Sequence, residues 1–577
     1  MEALLAWLDA MLGVVNGVIW HDSVLMIVLA IGVLFTVWSG FCQYHALTHG
    51  TAVILGRYDK ADAPGAIRPF QALSAALSGT VGLGNIAGVA VAISLGGPGA
   101  VFWMWVVGLV GMALKSAEVT LTMLYRRMDD PHNPRGGTMW VARDGFARRG
   151  WPKLGGIIGG LFCITLLISA ITGGNMFQAW NVGVVTETYF RIPQPVVGVV
   201  LTLLVGAVIL GGIQRIGHVT GALTPFMCGL YMLAAIYVVL SEIDRVPETL
   251  WLVLKSAVQP AQAERAFLGG SIGYAFLWGM KRALFSNEAG QGSSPIAHAA
   301  AKTDEPVREG VVAGLEPFID TLVVCTLTTL VVLLSGAWNR GPEAHFADQL
   351  QLVETELGLW TLPPTDVPAK LVESSRINGE WKAIDTVFVL VRAGHDANTG
   401  HNLTRLSGTI AATDGGGLHI DWTPLRTTER PELVAESDGH IGLYNDLVGA
   451  ALTGHAFDRV TPGLGTWIVT IATWLFAVST MISWSYYGEQ GMLYLLGPKS
   501  VLPYRVLYCL AILVACSGFI RTDAQLDNLT ALGTGVMLWA NLPILLLFGT
   551  ETMFEYRGYL RRMREQSAAL VVQQITD

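Results

Sequence analysis

The chain of 577 residues is 52% hydrophobic and only 14% charged, with a mean hydropathy of +0.49. That leaves too few polar side chains to cover a soluble protein of this size, whereas lipid can solvate an apolar outer face. The formal net charge of −8 argues against a nucleic-acid binder, which needs a basic face.

Glycine is frequent, at 66 residues, as expected where membrane helices pack backbone to backbone. The six cysteines, Cys42, Cys163, Cys228, Cys325, Cys509 and Cys516, lie in or beside apolar runs. None has CxxC spacing, so they read as small packing residues and no cofactor is expected. The N-terminus lacks a basic region followed by a cleavage site, and the first apolar run is expected to act as the insertion signal.

A membrane crossing needs about 20 mainly apolar residues. The sequence predicts an outlying helix near 22–42, then ten more near 69–95, 98–125, 155–186, 195–213, 218–241, 269–299, 309–336, 459–487, 502–519 and 527–548. The expected class is an all-α polytopic membrane protein of about eleven crossings in a lipid bilayer. Positive charge tests the count, because Lys and Arg collect on the cytoplasmic side. The stretch 126–153 holds Arg126, Arg127, Arg135, Arg143, Arg148, Arg149 and Lys153, and the tail holds Arg557, Arg561, Arg562 and Arg564. Loops 96–99 and 187–194 are nearly free of it. This alternation predicts an inner (plasma) membrane protein with its N-terminus outside and its C-terminus cytoplasmic.

Expected units are 1–336, the first part of the membrane core; 337–458, an extracytoplasmic insertion; 459–550, the rest of the core; and 551–577, a cytoplasmic tail. The insertion is polar, with β-like runs at Thr386–Arg392 and Leu403–Ala412 and turn glycines at 415–417. It reads as a small β-rich structural or partner-contacting domain.

Two apolar segments carry matching interruptions. Ser78–Ala92 reads SGTVGLGNIAGVAVA and Ala283–Ala301 reads ALFSNEAGQGSSPIAHAAA. Each has Gly-x-Gly (Gly82 and Gly84; Gly290 and Gly292) and then Ile-Ala. They are the first and sixth members of the ten-helix core, and the charge pattern gives them opposite directions. That is the sequence sign of an inverted-repeat transporter, whose unwound helices bind substrate at mid-membrane. Close packing alone would explain the glycines. It would not explain Asn85, Ser286, Asn287, Glu288 and Gln291 clustered in apolar spans, where an ionisable group costs about 2.5–3.5 kcal/mol on insertion scales.

The strings Phe70–Trp105, Lys281–Gly310 and Phe476–Gln490 resemble the alanine or glycine:cation symporter family. The resemblance covers the membrane part but not most of 337–440. It implies a fold like the bacterial leucine transporter, a five-plus-five inverted repeat with one extra N-terminal helix. It also implies import of alanine or glycine with sodium, less often with protons. The sequence leaves substrate, ion and oligomeric state open.

For an amino-acid zwitterion, backbone N–H groups at a half-helix start suit the carboxylate, expected at Gly82, Gly84 and Asn85. Oxygens of Ser286, Asn287 and Gly290 are expected to hold the ammonium. Gln178 either faces the same site or packs, and Phe177 and Trp278 are either walls of it or plain packing. Sodium prefers oxygen ligands, as calcium and magnesium do. In the implied fold it bridges the first broken helix and the eighth core helix, which points to Ser479 and Thr480 with carbonyls near Thr80 and Phe476. The alternative for each hydroxyl is a bond to its own helix.

Glu288 could carry a proton, pair with Lys281 or Arg282, or fix the break by accepting backbone hydrogen bonds; the last is favoured. Lys115 and Glu118 are expected to pair as i, i+3 neighbours. Asp320 is placed toward the cytoplasmic half, lining the inner pathway or packed. Rival readings are an intramembrane enzyme using His298 and Ser294, disfavoured for want of a Gly-x-Ser-x-Gly elbow or a His-Glu-x-x-His pair, and a substrate sensor. Absence of a Walker motif disfavours direct ATP drive.

Overall fold

The computed structural model of the chain describes residues 2–576 except 61, 131–132, 263–264, 348–349, 397–398, 400, 414–415, 428, 437 and 519–522. For 2–10, 376, 378, 523–525 and 566–576 it describes the backbone alone. The longer helices are α1 (Glu2–Ile19), α2 (Asp22–Trp38), α3 (Pro69–Thr80), α4 (Val89–Gly96), α5 (Gly99–Leu124), α6 (Pro152–Ile171), α7 (Phe177–Phe190), α8 (Gln194–Ile209) and α9 (Gly212–Ser241). After them come α10 (Ile272–Asn287), α11 (Pro306–Ala313), α12 (Thr326–Leu334), α13 (Ala450–Val460), α14 (Leu464–Leu496), α15 (Val501–Ala515) and α16 (Asp523–Thr576).

Among the described residues, eight helical stretches are long and apolar enough to cross a membrane, or nine with α3 and the segment Gly84–Gly96 joined across their 53° bend. Two expected crossings are shorter than the required length. α8 has 16 residues, and the run at 269–299 is divided because α10 stops at Asn287 after 16 residues. α1 was not expected, and α16 runs unbroken past residue 550, where the last crossing was to end. The turn glycine at 415 and the end of the run at 502–519 lie outside the described residues.

The interrupted segments lie side by side and antiparallel. At one end Ile67 bridges Ala301, with Lys302 N–H donating to the Ile67 carbonyl at 2.7 Å. Arg126 closes the same end by donating to the carbonyls of Ala301 (2.8 Å) and Pro64 (3.2 Å), and to that of Thr303. Outside it, Lys60 lies 2.7 Å from Asp304 and holds that carboxyl below the usual range. At the other end a methyl on Gly270 would lie 3.3 Å from the Gly96 carbonyl, and one on Gly96 only 3.1 Å from Ala275 Cα. Midway, Gly84 approaches Phe285 and Ser286 to about 3.7 Å on the same measure.

Each break has a local cause. α3 ends where Val81 turns extended (φ −75°, ψ 96°), and a π-helical turn, Gly84–Gly88, restarts the chain. α10 ends on Glu288 at φ +54°, a left-handed cap that glycine normally supplies. Holding a glutamate there costs roughly 1–2 kcal/mol, so the surroundings must impose it.

The insertion forms a seven-stranded antiparallel sheet. Its main path runs Ala344–Phe346, Ile441–Asn445, Thr386–Arg392, Leu403–Ala412, Leu418–Trp422, Thr365–Asp366, and a small three-stranded sheet lies beside it. The two runs picked from the sequence are its central pair, in register from Thr386 opposite Thr409 to Arg392 opposite Leu403. Alternation across the pleat buries both faces. Val387, Val389 and Val391 enter the domain's own core, while Phe388 and Leu390 join Tyr444 against Ala266 and Leu268 of the loop before α10. Arg405 donates to the Ala266 carbonyl at 3.0 Å, and Ala266 N–H donates to the Arg340 carbonyl at 3.1 Å. The chain then returns through α13, whose Thr453 hydroxyl donates to the Ile86 carbonyl at 3.0 Å. The insertion is thereby tied to the first interrupted segment and to the loop that leads into the second.

Candidate functional site

A hollow of about 40 Å³ lies where the two breaks meet. One water needs roughly 10–15 Å³ by this measure, so the space suits a few small groups. The first break contributes Gly79, Gly82 and Gly84, and the second Ser286, Glu288 and Gln291. The wall also includes Ser169 of α6, Gly173, Gly174 and Gln178 at the α6–α7 junction, Thr480 and Trp484 from α14, and Thr530 and Thr534 from α16. The α6–α7 junction is π-helical over Thr172–Met176, a distortion often found at functional sites.

Four oxygens on this wall are buried and form no hydrogen bond among the described residues: Ser169 Oγ, Gln178 Oε1, Gln291 Oε1 and Thr480 Oγ1. A buried polar atom without a partner costs about 1–3 kcal/mol. Four acceptor-capable oxygens round one small hollow make a place for cations. The Gln178 and Gln291 amides are fixed by their other ends, Gln178 Nε2 donating to Gly173 O at 3.1 Å and Gln291 Nε2 to Leu284 O at 2.8 Å. A methyl added at Gly82 would lie 2.8 Å from Thr480 Oγ1 and 4.0 Å from the Thr80 carbonyl. Only glycine leaves that space open.

Several residues expected at the substrate have their polar groups bonded within the protein. Asn85 is fully buried; its Oδ1 accepts the Gly82 N–H at 2.8 Å, and its Nδ2 donates to Asp320 Oδ1 at 2.6 Å. The Gly82 N–H is therefore already bonded, and Asn85 faces Asp320 rather than the hollow. Asp320 lies at the level of the first break, not toward one end, in a π-helical stretch Phe318–Cys325. It also accepts from Ser286 Oγ at 2.8 Å and Thr321 Oγ1 at 2.8 Å. Asn287 Nδ2 donates to Thr321 at 3.1 Å, its Oδ1 accepts from Ala289 N–H at 3.0 Å, and it does not line the hollow. Gly290 is also off the wall, its carbonyl accepting from Asn541 at 2.9 Å.

The expected ion residues divide. Thr480 faces the hollow with a free oxygen, while the Ser479 hydroxyl is 2.5 Å from Ser78 Oγ and joins α14 to α3. Phe476, one turn before Thr480, is fully buried with its ring 5.8 Å from Tyr231. Thr80 lines the hollow. Phe177 packs among the apolar side chains behind the wall, and Trp278 lines a different chamber. Glu288 is on the wall, but its carboxylate accepts from the Ser293 hydroxyl, not from backbone N–H groups, and neither Lys281 nor Arg282 pairs with it. Ser169, Trp484, Thr530 and Thr534 carry no signal of their own in the sequence; the neighbouring Gly173-Gly174 pair does.

Beside the hollow lies a second buried polar network. Lys115 Nζ is 3.3 Å from Glu316, not paired with Glu118, whose carboxylate accepts from Asn541. His298 bonds Glu309 at 2.6 Å and Glu316 at 2.7 Å, and Ser294 Oγ donates to Glu316 at 2.8 Å. Lys115, His298, Glu309 and Glu316 are all completely buried.

The family model of the sodium:alanine symporters matches residues 5–367 and 434–573. The chain belongs to this family. Its function is cation-coupled amino-acid transport by a multi-pass membrane protein, with sodium the coupling ion that the family implies. The sodium/alanine symporter AgcS of Methanococcus maripaludis is 32% identical over 550 residues, covering 95% of this chain and 97% of its own. A putative sodium/proton-dependent alanine carrier protein, YrbD of Bacillus subtilis, is 28% identical over 551 residues, 95% of this chain and 92% of its own. The probable sodium/glutamine symporter GlnT of B. subtilis is 33% identical over 353 residues, 61% and 71% respectively. The family is one of transporters, which removes the enzymatic reading of His298 and Ser294. Residues 368–433, which hold the central strand pair of the insertion, fall outside the family match.

Proposed function

We propose that this symporter imports alanine, glycine or both with sodium, by alternating access around the hollow between its two breaks. The observation that carries the reading is the set of four unpartnered oxygens on a glycine-lined space of about 40 Å³. An amino acid whose side chain is a hydrogen or a methyl fits such a space; glutamine, named for one relative, needs more room. Sodium is held at Thr480 Oγ1 and the Thr80 carbonyl, and the substrate ammonium at Gln178 and Gln291, both through oxygen. The carboxylate takes the backbone N–H groups at Leu83 and Gly84, where the restarted helix Gly84–Gly96 presents its positive end. Ser286 and Glu288 complete the wall, and Asn85 and Asp320 hold the first break open.

The scaffold we infer is a five-plus-five inverted repeat of about eleven crossings, with the extra helix before it and the C-terminal tail cytoplasmic. The antiparallel placement of the interrupted segments supports it, since each then crosses from the opposite face. Thr480→Ala is expected to raise the sodium concentration for half-maximal uptake about tenfold, the effect of losing roughly 1.4 kcal/mol of ion binding; an unchanged sodium dependence would remove Thr480 from the ion site. In competition against labelled alanine uptake, glycine should inhibit and glutamine should not. Equal inhibition by glutamine would overturn the size argument.

A further inference from the structure

A second chamber, of about 270 Å³, adjoins the hollow and shares Phe285 and Thr534 with it as a common partition. α10 supplies one wall with Trp278, Lys281 and Arg282; α1 and α16 supply the facing wall with Asn16 and Asp527. The Arg282 guanidinium lies 5.4 Å from the Trp278 ring centre, and no ion pair joins either cation to Asp527 among the described residues. Three atoms of these residues are buried without a hydrogen bond among the described residues: Trp278 Nε1 and Arg282 Nε on the α10 side, and Asn16 Oδ1 on the other. The Asn16 amide is fixed, because its Nδ2 donates to the Asn528 carbonyl at 2.9 Å.

The two walls have opposite chemistry. Donors and positive charge stand on α10; acceptors and a carboxylate stand on α1 and α16. A chloride or phosphate would satisfy only the first wall, and a sodium ion only the second. A molecule with a carboxylate at one end and an ammonium at the other satisfies both.

We infer that this chamber is a second binding site for an α-amino-acid zwitterion, lying one side chain away from the transport hollow. The carboxylate faces Lys281, Arg282 Nε and Trp278 Nε1, and the ammonium faces Asp527 and Asn16 Oδ1. Its larger volume admits the amino acid with part of its water shell, before the passage past Phe285 into the smaller space. α1, which lies outside the ten-helix core, becomes part of a binding wall. The inference rests on the proposed alanine transport, because it takes the same molecule as ligand.

The test is the stoichiometry of labelled alanine bound at equilibrium to the purified full chain in sodium. Two molecules per chain are expected. Asp527→Asn and Lys281→Gln should each bind one, and that remaining molecule reports that the variant is folded. Gly82→Val, which fills the hollow, should also bind one, and the double variant Gly82→Val/Asp527→Asn none. One molecule per chain in the unaltered protein, unaffected by Asp527→Asn, overturns the second site and leaves the transport reading standing. So do two molecules that survive both charge substitutions. No alanine bound to the unaltered chain would overturn the transport reading and this inference with it.

Discussion

Alanine uptake by Asn85→Ala is expected to fall at least about thirtyfold while the protein still inserts and folds. The substitution removes the acceptor of the Gly82 N–H and a donor to Asp320, both inside the membrane core. The Gly82 N–H left unpaired costs about 1–3 kcal/mol, and the hydrogen bond lost by Asp320, which keeps Ser286 and Thr321, at least about 1 kcal/mol more. The smaller sum, about 2 kcal/mol, already corresponds to some thirtyfold in the population of the open break. The effect belongs to the geometry of the hollow and not to a lost substrate contact. It should therefore appear for alanine and glycine alike, and in sodium affinity as well. Uptake at the unaltered rate would mean that the first break keeps its shape without Asn85.

The second large effect is on stability. Lys115→Met leaves Glu316 buried without the ammonium 3.3 Å away. Breaking a buried pair from one side costs about 3–5 kcal/mol, because a charge remains without compensation. A clear fall in the thermal midpoint of the purified protein is expected, with poor recovery from the membrane. Adding Glu316→Gln removes the stranded charge and should restore more than half of the loss, although His298 and Ser294 then lose part of their partner. A single variant as stable as the parent would show that Glu316 is neutralised by His298 alone.

The breaks were legible because they are local. Gly-x-Gly in an otherwise apolar run, with Asn beside it or Gln within it, marks a helix that cannot continue cheaply and has polar work to do. The partners of those polar residues were not legible. Asn85 and Asp320 are 235 positions apart, and nothing in the spacing says whether an amide at a break faces a guest or ties the chain. Lys115 and Glu118 share one helix, so proximity in sequence suggested a pair; the fold instead brings Glu316 to the lysine and Asn541 to the glutamate. The wall from α16 was hidden for a related reason, since Thr530 and Thr534 look like ordinary hydroxyls in an apolar helix.

α1 escaped notice because Glu2, Asp9 and Asn16 interrupt its apolar run every seven residues. Such a pattern reads as a poor crossing. The strands of the insertion, by contrast, followed directly from period-two alternation between turn residues. What alternation could not reveal was that the second face of that sheet is also buried, against the loop leading into α10.

The most direct measurement is uptake of labelled alanine into liposomes containing only this protein, with sodium and proton gradients imposed separately. An inward sodium gradient at equal pH should drive accumulation above the outside concentration, and dissipating it with a sodium ionophore should release the label. Accumulation on a proton gradient without sodium, or none under either gradient, would contradict the account.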